Sequence, residues 1–195
     1  MEPAGPNAVA QPELPARECY SLAQLLALKD SGDRWIIDKV IPSRGRTLLF
    51  GQGNLGKTSL VMDLALSVAT GTPFLGEIPV QKSGPVLVLS TEGDIYSNRD
   101  RFQGLVNAHE VDPDAPLYYM QEPLVLEEYG DRAVFWKLLT DIRPVLVVLD
   151  PLDSFFWGEE NSASATKPFR AFVNAAIQAF STSFLIIHHA AAKEE

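Results

Sequence analysis

The chain has 195 residues, 46% of them hydrophobic, which is enough to bury the core of one α/β domain with a short tail. Its formal net charge of -9 and pI of about 4.8 exclude the basic surface that accompanies autonomous nucleic-acid binding. A lone cysteine, Cys19, excludes an internal disulfide framework. No apolar run approaches the roughly 20 residues of a membrane-spanning helix or resembles a signal peptide, so a cytoplasmic protein without a membrane role is expected.

Residues 1–18 hold Pro3, Pro6, Pro12 and Pro15 among small and polar residues, a composition that predicts a disordered lead before a folded domain at 19–195. Ser21 suits the N-cap of a short helix through Leu28. Its Leu22, Leu25 and Leu26 face serves either the local core, the favoured reading, or docking on a neighbouring subunit. The apolar run 47–50 then leads into Gly51, Gln52, Gly53, Asn54, Leu55, Gly56, Lys57 and Thr58, which fit the phosphate-loop pattern G-x-x-x-x-G-K-[ST]. A helical pattern (Leu60, Val61, Leu64, Ala65, Val68) leads out to Gly71, so the motif sits in the strand, loop and helix that it requires.

That spacing has a chemical reason. Gly51, Gly53 and Gly56 let the backbone curl until successive N–H groups point inward, and the helix that follows, entered through Ser59, adds its positive dipole end. Lys57 reaches the β- and γ-phosphates and the Thr58 hydroxyl completes the coordination of Mg²⁺. Binding of a nucleoside triphosphate, ATP with Mg²⁺, is the expectation.

Four more strands are predicted at 86–90, 117–120, 145–150 and 184–188, with helices near 94–107, 131–140 and 167–180. The alternation predicts a mostly parallel sheet flanked by helices. In the last helix Phe169, Phe172, Val173, Ala176, Ile177 and Phe180 form one apolar face, read as core. The stretch 154–166 mixes Phe155, Phe156 and Trp157, taken as exposed, with small polar residues and reads as a long mobile loop.

Ligands of open α/β sheets gather at the carboxyl ends of the strands, and three strands end there in polar residues. The run 145–150 closes on Asp150, a Walker B carboxylate that holds Mg²⁺ through water. The run from Val86 closes on Glu92, either the base for the attacking water or a surface residue before Gly93. The last strand ends in His188 and His189, of which alternation sends one toward the site and one away. His188 is favoured as a γ-phosphate sensor, and a metal role for the pair is disfavoured without a supporting Cys or third His.

Together these motifs resemble the RecA-like ATPases, most closely the hexameric RepA-type replicative helicase domains, over roughly residues 33–193. The resemblance takes in the lead-in at 35–42, the segment 69–76 and the ending His-His-x-x-x-Lys at Lys193. It implies a sheet with strand 184–188 between 47–50 and 145–150, then 86–90, with 117–120 at the edge. It implies that Glu92 is the catalytic carboxylate and that Arg99, or else Tyr96 or Arg101, lies against adenine. Members continue past the histidines into further strands, whereas this chain stops at Glu195. A truncated or shortened domain is therefore expected, its 47–50 strand an edge unless the 35–40 segment or another chain covers it.

Three functions compete. The first is the ATPase core of a helicase or DNA-remodelling motor, with single-stranded DNA as partner and a hexamer as assembly. The second is a nucleotide-binding regulatory or assembly module that switches the loop 154–166 with little turnover. A small-molecule kinase is third, since no Arg-rich lid is evident.

Overall fold

The structure, a computed structural model, describes residues 19–29, 32–53, 55–156 and 166–189. The predicted lead 1–18 and the ending at Lys193 lie outside them. The chain divides into two units, Met1–Ser31 and Gly32–Glu195. In the first, Ser21 caps helix α1 (Leu22–Ala27) reciprocally. Its Oγ accepts from the Gln24 amide at 3.2 Å, while Gln24 Oε1 accepts from the Ser21 amide at 2.8 Å. No residue of α1 is buried, so the local core role expected of Leu22, Leu25 and Leu26 is not met.

In the second unit β1 (Trp35–Ile37) and β2 (Ile41–Pro42) form a small antiparallel pair. They precede a five-stranded parallel sheet of β3 (Arg46–Gly51), β4 (Val86–Ser90), β5 (Leu117–Met120), β6 (Leu146–Asp150) and β7 (Ser183–His189). The spatial order is β3-β7-β6-β4-β5, as the helicase resemblance implied. Residues 35–42 do not extend this sheet, and β3 is its edge among the described residues.

Alternation along the central strands sorts their side chains onto two faces. On one face Val86, Val88, Leu146, Val148, Leu185 and Ile187 pack against Val61, Leu64, Ala65 and Val68 of α2 (Lys57–Thr70) and against Ile36, Ile37 and Ile41 of the β1–β2 pair. On the other, Leu87, Leu89, Val147, Leu149, Phe184 and Ile186 meet α4 (Tyr129–Ile142) and α5 (Thr166–Phe180) through Phe135, Leu139, Phe169, Val173 and Ile177. Every residue of β4 and β6 is buried, the reason their sequences read as unbroken apolar runs.

The aromatics of α5 are core, as the spacing predicts, and Phe135 joins them, stacked on Phe184 with centroids 6.3 Å apart and edge-on to Phe172 at 5.6 Å. The reading of 154–166 as a loop with exposed aromatics needs correction at its start. A short 3₁₀ turn (Leu152–Ser154) carries Phe155 and Phe156 into the core, and Phe155 O accepts from the Leu126 amide at 3.1 Å. Residues 157–165 lie outside the described residues.

Candidate active site

Parallel pairing in register, Gly51 beside His189 and Ser90 beside Asp150, brings the ends of β3, β7, β6 and β4 to one edge of the sheet. The loop after β3 enters α2 through Gly56, whose φ of 76° is the left-handed conformation that glycine adopts without strain. No side chain caps α2 and no acidic residue stands in its first turn, so its first N–H groups keep their affinity for an anion. A Cβ on Gly53 or Gly56 would meet nothing within 4 Å, so both flank open space. Asn54 lies outside the described residues; Leu55 is exposed.

A cavity of about 260 Å³ opens over this loop, lined by Gly53, Gly56, Lys57, Thr58, Ser59, Glu92, Arg101 and His189. Lys57 is buried, and its ammonium donates to the carbonyls of Gly51 at 3.0 Å and Gln52 at 2.7 Å. The Thr58 hydroxyl donates to Glu92 Oε2 at 2.9 Å. Behind them Asp150 is 1% exposed and its Oδ1 has no hydrogen-bond partner. Burial away from water pushes its carboxyl up to about 6, against the opposing pull of the Thr58 hydroxyl. An orphaned carboxylate oxygen beside a threonine hydroxyl fits a hard divalent cation, and Thr58 with Asp150 are the residues that could hold Mg²⁺.

Glu92 lies just past β4, where Gly93 (φ 70°) turns the chain into α3 (Ile95–His109). Asp94 caps that helix by accepting from the amides of Tyr96 at 3.0 Å and Ser97 at 3.1 Å, and its hydrogen bonds with Ser97 hold its carboxyl below the usual range. Turn and cap thus fix Glu92 at the cavity rim.

One expectation changes here. His189, not His188, lines the cavity, because on β7 it shares the α2 face with Leu185 and Ile187, whereas His188 continues the face of Phe184 and Ile186. His189 Nε2 lies 2.7 Å from Glu92 Oε1 without the alignment of a hydrogen bond. Ligand atoms of Glu92, Asp150 and His189 all fall within 4.8 Å of one another. The deciding signal was in the sequence: α2 supplies the P-loop, so the histidine in phase with the residues beneath α2 had to be the one at the site.

Arg99 and Tyr96, both candidates to lie against the base, line a separate cavity of about 320 Å³ with Asn98, Phe102 and Tyr119. Arg99 bonds its neighbour Asp100 at 2.6 Å and lies over the Tyr96 ring, outside the phosphate cavity. Arg101, the third of those candidates, lines the phosphate cavity, because it stands three residues after the buried Asn98 and so shares its helix face, while Arg99 is rotated off it. Asn98 drew no attention in the sequence, since a single polar residue in an amphipathic helix carries no motif.

Among curated proteins no sequence matches the chain significantly. The fold is similar to that of a KaiC-like protein from the archaeon Pyrococcus horikoshii, with a TM-score of 0.53 at 14% identity over 81% of this chain and 67% of that one. No described helix is long and apolar enough to cross a membrane. The family model AAA_25, described as an AAA domain, matches residues 11–195, and with the RecA-like sheet and P-loop the chain belongs to this family of P-loop ATPase domains.

Proposed function

We propose that this domain hydrolyses Mg²⁺-ATP as the core of a RecA-like helicase or DNA-remodelling motor. The observation that carries the reading is the Glu92 carboxylate 2.9 Å from the Thr58 hydroxyl, which puts a proton acceptor beside the residue suited to hold the cation and the γ-phosphate. Amides at the start of α2 receive the phosphate oxygens, and Lys57, now on loop carbonyls, donates to the β- and γ-phosphates. Thr58 and, through water, Asp150 would hold Mg²⁺, which when bound would spread the phosphate charge. Glu92 takes a proton from water as that oxygen bonds to the γ-phosphorus and the bond to the β–γ bridging oxygen breaks, releasing ADP. His189 orients the Glu92 carboxylate and Arg101 brings a second cation.

The motor role and a hexameric state rest on the helicase resemblance. The second reading, a nucleotide-binding regulatory or assembly module, is favoured by the net charge of -9, which gives the chain no field to attract DNA. Phosphate release from Mg²⁺-ATP, with and without single-stranded DNA and with Lys57→Ala as blank, separates them. Turnover that vanishes in the variant and rises with DNA supports the motor core. Turnover no higher than the blank, with ATP still bound, supports the module.

A further inference from the structure

We propose that Asn98 is a positioning residue that fixes the Arg101 guanidinium at the phosphate cavity relative to Glu92. The inference rests on the reading of that cavity as a nucleotide site. Asn98 is 1% exposed, one turn into α3, a place where an asparagine is poorly suited to the helix and costly to bury unless its amide is fully bonded.

Its amide is fully bonded. Nδ2 donates one hydrogen to the main-chain carbonyl of Glu92 at 2.8 Å and the other to the Tyr119 hydroxyl at 2.7 Å, and Oδ1 accepts from Arg101 Nη1 at 3.2 Å. The chemistry permits one orientation only. A flipped amide would set Nδ2 against the guanidinium, which has donors alone, and Oδ1 against the Glu92 carbonyl, which only accepts. The Tyr119 hydroxyl completes the chain by donating to Ser90 O at 3.4 Å, and burial pushes its ionisation up, so it remains a hydroxyl able to accept from Asn98.

Arg101 is a long side chain at the cavity rim, and a free one would lose rotamer entropy on meeting phosphate. The Asn98 carbonyl removes part of that freedom beforehand. The same amide grips Glu92, so cation and proton acceptor share one frame anchored on β4 and β5. A purely structural asparagine would need no partner that lines the cavity.

The test is the affinity for a fluorescent ATP analogue with Mg²⁺, beside thermal unfolding, for the wild-type chain, Lys57→Ala, Arg101→Ala, Asn98→Ala, the double Arg101→Ala/Asn98→Ala, and Tyr119→Phe. Loss of a charge-assisted contact predicts that Arg101→Ala and Asn98→Ala each weaken binding about tenfold, with the double variant no weaker than Arg101→Ala alone. Tyr119→Phe, which removes one Asn98 partner without touching the cavity, is expected to weaken binding in the same direction by less and guards against a misfolded Asn98→Ala. Losses that multiply in the double variant, or an Asn98→Ala chain with lowered thermal stability and unchanged affinity, overturn the inference. Wild-type affinity no better than Lys57→Ala overturns the nucleotide site and the inference with it. Binding without phosphate release overturns hydrolysis alone, and the affinity series still decides the role of Asn98.

Discussion

Glu92 accepts from the Thr58 hydroxyl at 2.9 Å on Oε2, and His189 Nε2 lies 2.7 Å from its Oε1. Replacing it with Gln keeps its length and an oxygen for Thr58 but removes the proton acceptor, so Glu92→Gln should bind ATP as the wild type does. Its single-turnover phosphate release should fall by a factor of about 10² or more; release at the wild-type rate would remove Glu92 from the chemistry. His189→Ala should slow the same step, while His188→Ala, altering the opposite face of the sheet, should leave ATP affinity unchanged. Asp150 carries a pH signature. Its carboxyl is raised to about 6 from an ordinary value of 3.8, so between those pH values the folded state binds a proton that the unfolded state has released. Its contribution to stability is present in full below about pH 4 and is lost as pH rises through about 6, up to about 3 kcal/mol for a shift of this size. Urea unfolding of the nucleotide-free chain across that window should show this slope, flattened in Asp150→Asn; equal slopes would mean that Asp150 does not titrate in this range. Mg²⁺ needs the ionised form, so its affinity should fall as pH drops below about 6.

Elements were easier to read than the side chains they aim. Each central strand announced itself as an apolar run because both faces of β4 and β6 are covered, and α5 showed its face through a strict i, i+3, i+4 spacing. The order of the strands came from the helicase resemblance and not from the runs themselves, which carry no pairing information. Rotational phase was the weak point. His188 was one position from the residue that reaches the cavity, because an apolar pattern locates an element and leaves the direction of its terminal residues to its packing partner. The β1–β2 pair was missed as structure since two and three residues give no periodicity, and the burial of Phe155 and Phe156 was hidden by their polar neighbours. The division into faces makes its own prediction. Phe135 is fully buried between α5 and β7 on the face opposite α2, so Phe135→Ala should cost about 3–5 kcal/mol in urea unfolding while the folded fraction binds ATP with unchanged affinity. A matching loss of affinity would mean that the two faces are coupled.

For the whole molecule, charge and site point in different directions. Lys57, Arg101 and the first amides of α2 make one small cavity attractive to a compact polyanion, while the chain around it carries a net charge of -9. Nonspecific affinity for nucleic acid comes from many phosphates neutralised along an extended surface, so a single cationic cavity in an acidic protein gains a nucleotide without gaining a strand. A fluorescent single-stranded oligonucleotide at 150 mM salt should therefore bind this chain more weakly than the roughly 10⁻⁴ M typical of nonspecific binders, by anisotropy, whether or not ATP is present. Lowering the salt should change little, because few counterions are displaced. Micromolar binding that strengthens steeply at low salt would show a basic track within these residues and would support the proposed motor reading. Weak binding fits a domain whose cavity holds one nucleotide, and agrees with the module reading unless the proposed motor draws its DNA contacts from other surfaces.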